Sequence, residues 1–290
     1  MSRLMFIVAL ALTLLILAPQ AYAQPPSHPD GTIKAEFENR FSSRISGSST
    51  KVSSQKYNIQ ARYSYFNLNY HYKNYSWDSA DDSGLAEQGK DPWSGLHSIS
   101  LGARKNFFLS PEWLLNIGGG VGSSFEKEIS GSFWGRADFS FVRLFENNWS
   151  TNIGLAGFYH PVRSIVLPVV MIGYSNPDPQ GFSGRLGFPE TSLTYAFNES
   201  LTAKAHVGYS ANIYRLKNNS PVHKKGYFSD QAFKIGLDME IRPARNLILN
   251  FGPYYLMERK LKTYDRHEKR QNKEKIKNTP GIKLGASWIF

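Results

Sequence analysis

The 290-residue chain contains no cysteine. It therefore has no disulfide framework, no thiolate metal site and no lipid-attachment cysteine behind a leader. Beyond its first two dozen residues it also has no long apolar run. A membrane-spanning helix needs about 20 consecutive apolar residues, so a helical membrane protein is excluded. The acidic stretch WDSADDSGLAEQGKDPW (77–93) carries Asp78, Asp81, Asp82, Glu87 and Asp91 but lacks the D-x-D-x-D-G order of a calcium loop. His71, His97, His160, His206, His223 and His267 are scattered, with no pattern of nucleophile, histidine and acid. No metal, cofactor or catalytic residue is expected.

What is present begins with a leader. MSRLMFIVALALTLLILAPQAYAQ has a basic start at Arg3, an apolar run from Leu4 to Leu17, and Ala21-Tyr22-Ala23 before Gln24. That is the layout of a secretory signal peptide. Its apolar run is short for a spanning helix. Residues 1–23 are read as the signal and an exported chain begins near Gln24. The remainder is rich in Tyr, Phe, Trp and Gly, and the formal net charge is +11. An exported, aromatic-rich chain of alternating segments fits a transmembrane β-barrel, apolar outside and polar inside. In such a setting the basic balance points to lipopolysaccharide phosphates, acidic lipids or acidic solutes rather than nucleic acid.

Alternation runs from residue 56 to the end. Tyr57, Ile59, Ala61, Tyr63 and Tyr65 share one face; Phe66, Leu68, Tyr70 and Tyr72 have the opposite parity, which a bulge near Tyr65–Phe66 would explain. Similar segments start near residues 98, 113, 133, 149, 201, 233, 247 and 280. Segment 165–174 (IVLPVVMIGY) is apolar on both faces. Short turn-rich links alternate with longer or charged ones, as in barrels with short periplasmic turns and long outer loops. Alternation requires an outer turn at HPVRS (160–164) and another near Pro189-Glu190, although the strands flanking the second are short. The resulting expectation is an all-β, antiparallel up-and-down barrel over 56–290 of about twelve strands, with ten or fourteen as the other counts. Residues 24–55 are a leader or an additional strand. Pro168 and Pro253 fall inside strands, where proline is tolerated mainly at bulges and edges.

The chain ends GIKLGASWIF, with Ile282, Leu284, Ala286, Trp288 and Phe290 on one strand face. This ending resembles the C-terminal signal strand of Gram-negative outer-membrane barrels, carried here by Lys283, Gly285, Ala286, Trp288 and Phe290. The resemblance implies location in the cell outer membrane and recognition by the barrel assembly machinery. The order VLPVVMIGYSNPD–GFSGRLGFPETSLTYAF also looks like a family of uncharacterised outer-membrane barrel domains, which implies a fold and no activity.

Parity lists the lumen. Arg62, Arg104, Arg136, Arg185, Lys204 and Lys234 point inward with Asp138, Asp238, Glu240 and His206, and so do Arg242 and Lys283. The first ten are the candidate solute-binding residues. A basic lumen favours anions, as rings of Arg or Lys do in pores. The expected function is a narrow diffusion channel for small solutes with a bias to anions, in a monomer set in outer-membrane lipid and lipopolysaccharide. The alternatives are a non-conducting structural or surface-binding barrel working through its loops and, behind that, a lipid-modifying enzyme.

Overall fold

The computed structural model describes residues 31–290, so the expected signal peptide lies outside the described residues. The first three strands are β1 (Gly31–Arg44), β2 (Lys51–Tyr63) and β3 (Phe66–Asp78). Next come β4 (Gly95–Phe108), β5 (Trp113–Phe125), β6 (Phe133–Leu144), β7 (Trp149–Tyr159) and β8 (Ile165–Tyr174). The chain continues through β9 (Gly181–Phe188), β10 (Glu190–Asn198), β11 (Leu201–Arg215), β12 (Tyr227–Ala244) and β13 (Leu247–Tyr264). It finishes with β14 (Arg270–Lys275) and β15 (Thr279–Ile289). Each strand pairs antiparallel with its sequence neighbour, and β15 pairs with β1, so the sheet closes. β14 and β15 both pair with β13 and are two stretches of one returning strand. The wall is therefore a closed, antiparallel, up-and-down barrel of 14 strands. Closure leaves no sheet edge at the seam, where lipid could not satisfy backbone N–H and C=O groups.

Fourteen was among the expected counts, and two strands beyond twelve make it up. The parity flip at Tyr65–Phe66 is a hairpin, not a bulge: Tyr63 pairs with Phe66, and Ser64 takes a left-handed φ of 51°. A two-residue turn puts its flanking residues on the same face, so it flips parity as a bulge does. Residues 31–44 supply the other added strand, β1. Adding two strands preserves the even number, so Gly31 and Phe290 both lie at the end with the short turns. The expected turns at 160–164 and at Pro189 are both present. The charged stretch 258–278 is not a loop. Its halves continue β13 and form β14, a hairpin turning at residues 265–269.

Both strand prolines sit where a ladder is missing. Pro253 falls between the pairs Gly236–Tyr254 and Met239–Phe251, where the β12–β13 ladder is interrupted. Pro168 lies in the half of β8 that pairs with β7 alone. A missing N–H costs little in either position.

The outer wall is apolar and aromatic, as a lipid-facing band must be. Val166, Leu186, Val121 and Ile153 are among its exposed side chains. Near the short turns, Trp149 packs on Tyr174 and Arg143 lies over Trp113. Toward the other end Tyr57, Tyr72, His97 and Phe125 stack across β2–β5. On the far side Tyr209 packs on Phe233. These rows mark the two interfaces of the bilayer. β12 and β13, 18 residues each, are about 45 Å long at ~2.5 Å of height per tilted residue, so they stand well clear of a ~25 Å apolar band.

Candidate functional site: the barrel lumen

The sheet register fixes which side chains face inward. Rows of cross-strand neighbours run Arg62–Asn67–Gly102–Gly120–Arg136 and Arg104–Gly118–Asp138. On the opposite wall they run Ser192–His206–Gly236 and Thr194–Lys204–Asp238. Arg185 stands beside Ser192, Lys234 beside Gly208, and Glu240 beside Thr202. All ten candidate residues thus lie on the lumen face. Several are tied to one another. Arg104 Nη2 donates to Asp138 Oδ2 at 2.7 Å. Lys283 Nζ donates to Asp238 Oδ2 at 2.6 Å, with His206 Nδ1 3.4 Å from the same oxygen. Lys204 lies 3.6 Å from Glu190, and Lys234 donates to Glu38 at 2.9 Å. Lys283 therefore belongs to the lumen as well as to the terminal signal strand. Among the described residues, Arg62, Arg136 and Arg185 have no carboxylate within salt-bridge distance, 4.0 Å.

The end with the short turns holds two polar chambers. One, about 620 Å³, is lined by Gln60, Arg62, Asn67, Arg104, Arg136 and Asp138. The other, about 400 Å³, is lined by Ser183, Arg185, Ser192, Thr194, Lys204 and Glu240. Glycine keeps this space clear. A Cβ on Gly118 would meet the Asp138 carboxylate and Arg104 Nε.

The opposite end is filled. Asp230 on β12 accepts from Arg40 Nη1 at 3.0 Å, from Arg259 Nε at 3.0 Å and from Tyr75 OH at 2.9 Å. Lys73 donates to the same carboxylate. Asp230, Arg40, Lys73 and Arg259 are all buried. Glu38 stands 3.9 Å from Arg40 and holds Lys234, so two anions serve four cations here. Above this hub lies an apolar cluster of Ile45, Tyr75, Trp93, Leu96, Tyr214 and Phe228, with Trp93 and Phe228 rings 3.8 Å apart. Trp93 comes from the β3–β4 loop, held inward by Trp77 Nε1 donating to its carbonyl at 2.8 Å. The loops interlock over it. Glu87 N donates to Pro221 O at 3.1 Å, and Glu126 Oε2 accepts from Lys217 N at 3.0 Å. The barrel is also pinched: Arg215 at the end of β11 bridges to Phe125 at the end of β5.

Sequence parity did not single out this hub. Lys73 continues the inward series of His71, and Asp230 continues that of Lys234 and Asp238, so both were within reach of the period-two pattern. Arg40 lies in the segment left ambiguous. Arg259 carried no such signal. Inward positions on β13 are even up to Leu256, and a bulge at Glu258, φ 49°, turns Arg259 in.

The β7–β8 turn closes the pinched lobe from above. Phe158 and Val162 pack on Ile213, Tyr227 and Tyr264. His160 is buried there, its ring edge-on to Tyr227 at 5.5 Å. Its Nδ1 accepts from Val162 N at 3.1 Å, and its Nε2 has no hydrogen-bond partner. Burial pushes the imidazole down to about 4 from 6.5. The folded state favours the neutral ring, so the unfolded state binds more protons between these values. The turn's docking is complete above pH ~6.5 and weakens as pH falls toward ~4. Amide protection factors across 160–164, referred to the intrinsic exchange rate at each pH, are expected to fall over that window while those of β1–β5 hold. Unchanged protection factors at pH 5 would contradict this.

No family model matches the chain, so the likeness to a family of uncharacterised barrel domains gains no support from one. No curated protein matches it either. Solved structures do. An outer-membrane channel of the COG4313 group from Pseudomonas putida F1 is 8% identical, with a TM-score of 0.45 over 94% of this chain and 99% of that one. The KdgM porin in complex with oligogalacturonate is 8% identical, TM-score 0.39, over 89% and 99%. The NanC porin is 9% identical, TM-score 0.38, over 88% and 98%. The likeness is one of barrel fold alone, which the closed sheet of this chain shows by itself.

Proposed function

We propose that the protein is a narrow outer-membrane diffusion channel for small solutes, biased toward anions. The observation that carries this is Arg62, Arg136 and Arg185, without a carboxylate partner among the described residues, lining polar chambers of about 620 and 400 Å³ at one end of the lumen. A cation held on rigid strands without a protein counterion, in a confined polar space, attracts a solute anion. The filled outer end makes the entrance the conductance-limiting part, so unitary steps should be small. In this reading the leader is cleaved near Gln24, the machinery that assembles outer-membrane barrels recognises the terminal strand, and the monomer sits among lipopolysaccharide. The proposal requires no catalytic group.

Refolded protein in a planar bilayer under a salt gradient supplies the test. Discrete steps with a reversal potential on the anion side are expected. Arg62→Glu with Arg136→Glu, in one chamber, should move that potential to the cation side. A preference indifferent to both charges would remove the arginines from the conduction path. The filled outer end also favours a second reading, a non-conducting barrel acting through its interlocked loops. A folded, heat-modifiable but electrically silent protein would select it.

A further inference from the structure

The wall has a gap. β9 and β10 are the shortest full staves, 8 and 9 residues. Their hairpin ends at Phe188–Glu190, closed by Thr191 Oγ1 donating to Gly187 O at 3.0 Å. β8 pairs with β9 only from Val170 to Tyr174, and β11 pairs with β10 only from Leu201 to Gly208. Above the hairpin, among the described residues, Ile165–Val169 pair with β7 alone and Tyr209–Tyr214 with β12 alone. Two facing strand edges are thus without ladder partners. The gap is roofed where Phe158 and Val162 pack on the cluster of Ile213, Tyr227 and Tyr264. Pro168 lies on one edge, where it blocks strand addition.

The gap lies at the outer-leaflet side of the bilayer. Tyr209, on one edge, belongs to the outer aromatic row with Phe233. On the other edge Val166 and Pro168 point outward beside Tyr159, in the half of β8 farther from the short turns. Free backbone groups at this depth are tolerated only where they line a cavity or water.

The lumen face beside the gap differs from the rest of the interior. Ile165, Leu167, Val169 and Met171 point inward from β8, flanked by Phe158 and Ala156 on β7. Cross-strand neighbour of Phe158 on β6 is the unpaired Arg136. Arg136, Phe158 and Ile165 thus form one cross-strand row, so a cation without a carboxylate partner among the described residues stands two strands from the opening, and an apolar strip as long as a short alkyl chain runs from Ile165 down β8 along its edge.

We propose that this gap is a lateral doorway between the lumen and the outer leaflet, used by amphiphiles with one anionic head and an apolar tail. The head pairs with Arg136 and the tail lies along Ile165–Met171. With the outer end filled above, the doorway is the short way out of the lumen. The proposal names a substrate class for the channel reading, and it rests on that reading for transport but not for the opening itself.

The absence of native cysteine makes the test direct. Leu167→Cys and Ser100→Cys each place one thiol on the lumen face, the first beside the gap and the second on β4 in unbroken wall. Each is labelled with a fluorophore and reconstituted with lipids carrying a nitroxide at shallow chain depth. Several-fold stronger quenching at 167 than at 100 is expected, and equal quenching would overturn the doorway. In a second arm dodecanoate should slow maleimide labelling of Leu167→Cys, and Arg136→Gln should abolish that protection. Equal protection by dodecyltrimethylammonium would overturn the anionic head. Bilayer conductance separates the two readings. Quenching at 167 in an electrically silent barrel leaves the doorway and removes the channel, whereas conductance without quenching does the reverse.

Discussion

Asp230→Ala is expected to cost the folded barrel about 3–5 kcal/mol, the usual penalty for breaking a buried ion cluster from one side. Its carboxylate is the shared acceptor of Arg40, Lys73 and Arg259, all buried. Removing it leaves Glu38 as the nearest carboxylate, and Glu38 already serves Lys234 at 2.9 Å. Uncompensated cations in the pinched half of the barrel must then draw in water or push the strands apart. Urea unfolding in detergent, followed by the heat-modifiable band shift, reads the loss. The same variant should open longer and larger in a bilayer, because the hub anchors the plug through Tyr75, which packs edge-on to Trp93 and Phe228. A double variant, Asp230→Ala with Lys73→Met, should recover part of the stability, since it removes one orphaned charge. If Asp230→Ala matched the parent in both measurements, the hub would be neither brace nor gate.

Deleting Phe290 is expected to abolish most of the folded protein in the outer membrane. Phe290 N donates to Gly31 O at 3.1 Å, and Gly31 N donates to Phe290 O at 3.0 Å. This pair is the last rung of the closing seam. The Phe290 ring occupies the space where a side chain on Gly31 would be, which explains a glycine at the start of β1. Without the rung and its ring, the seam frays at the membrane interface, where lipid offers backbone groups no partner. Loss of the terminal phenylalanine also removes the end of the signal that the strand resembles. Gly31→Val separates the two effects. It displaces the ring but keeps the terminal residue, so it should lower stability while leaving assembly largely intact. Counting folded and unfolded bands in outer-membrane fractions checks both.

Much of the architecture was legible because a barrel wall repeats one rule. Each strand must show lipid an apolar face and the lumen a polar one, so period-two alternation names the strands and the inward residues together. That rule pointed Arg104 and Asp138 into the lumen, and the register brings them together across Gly118, where they pair. It missed the β2–β3 hairpin because Ser64-Tyr65 is not one of the usual Gly- or Asn-containing turns. Length held the missing signal: a single strand from Tyr57 to Tyr72 is too long for a ~9–11-residue span.

Three oddities in the sequence were visible without being interpretable: Pro168, the doubly apolar 165–174, and the short segments around Pro189. They fall together at one gap between β8 and β11. A local pattern says that a residue lacks a ladder partner or that a face is apolar, but it cannot say what stands across from it.

The sequence by itself determined an all-β membrane barrel, its up-and-down order, the side of its short turns and the basic bias of its lumen, since these depend on residue type and on neighbours one or two positions away. The tertiary structure decided the rest. Closure brings β12 and β13 against β1 and β3, so Asp230 meets Arg40, 190 residues away. A single bulge at Glu258 sends Arg259 inward, and the contact of β11 with β5 fills one half of the mouth while leaving a side opening in the other. Such outcomes rest on the curvature and shear of a closed sheet, which set distances between strands far apart in sequence and leave no trace in the alternation of any one of them.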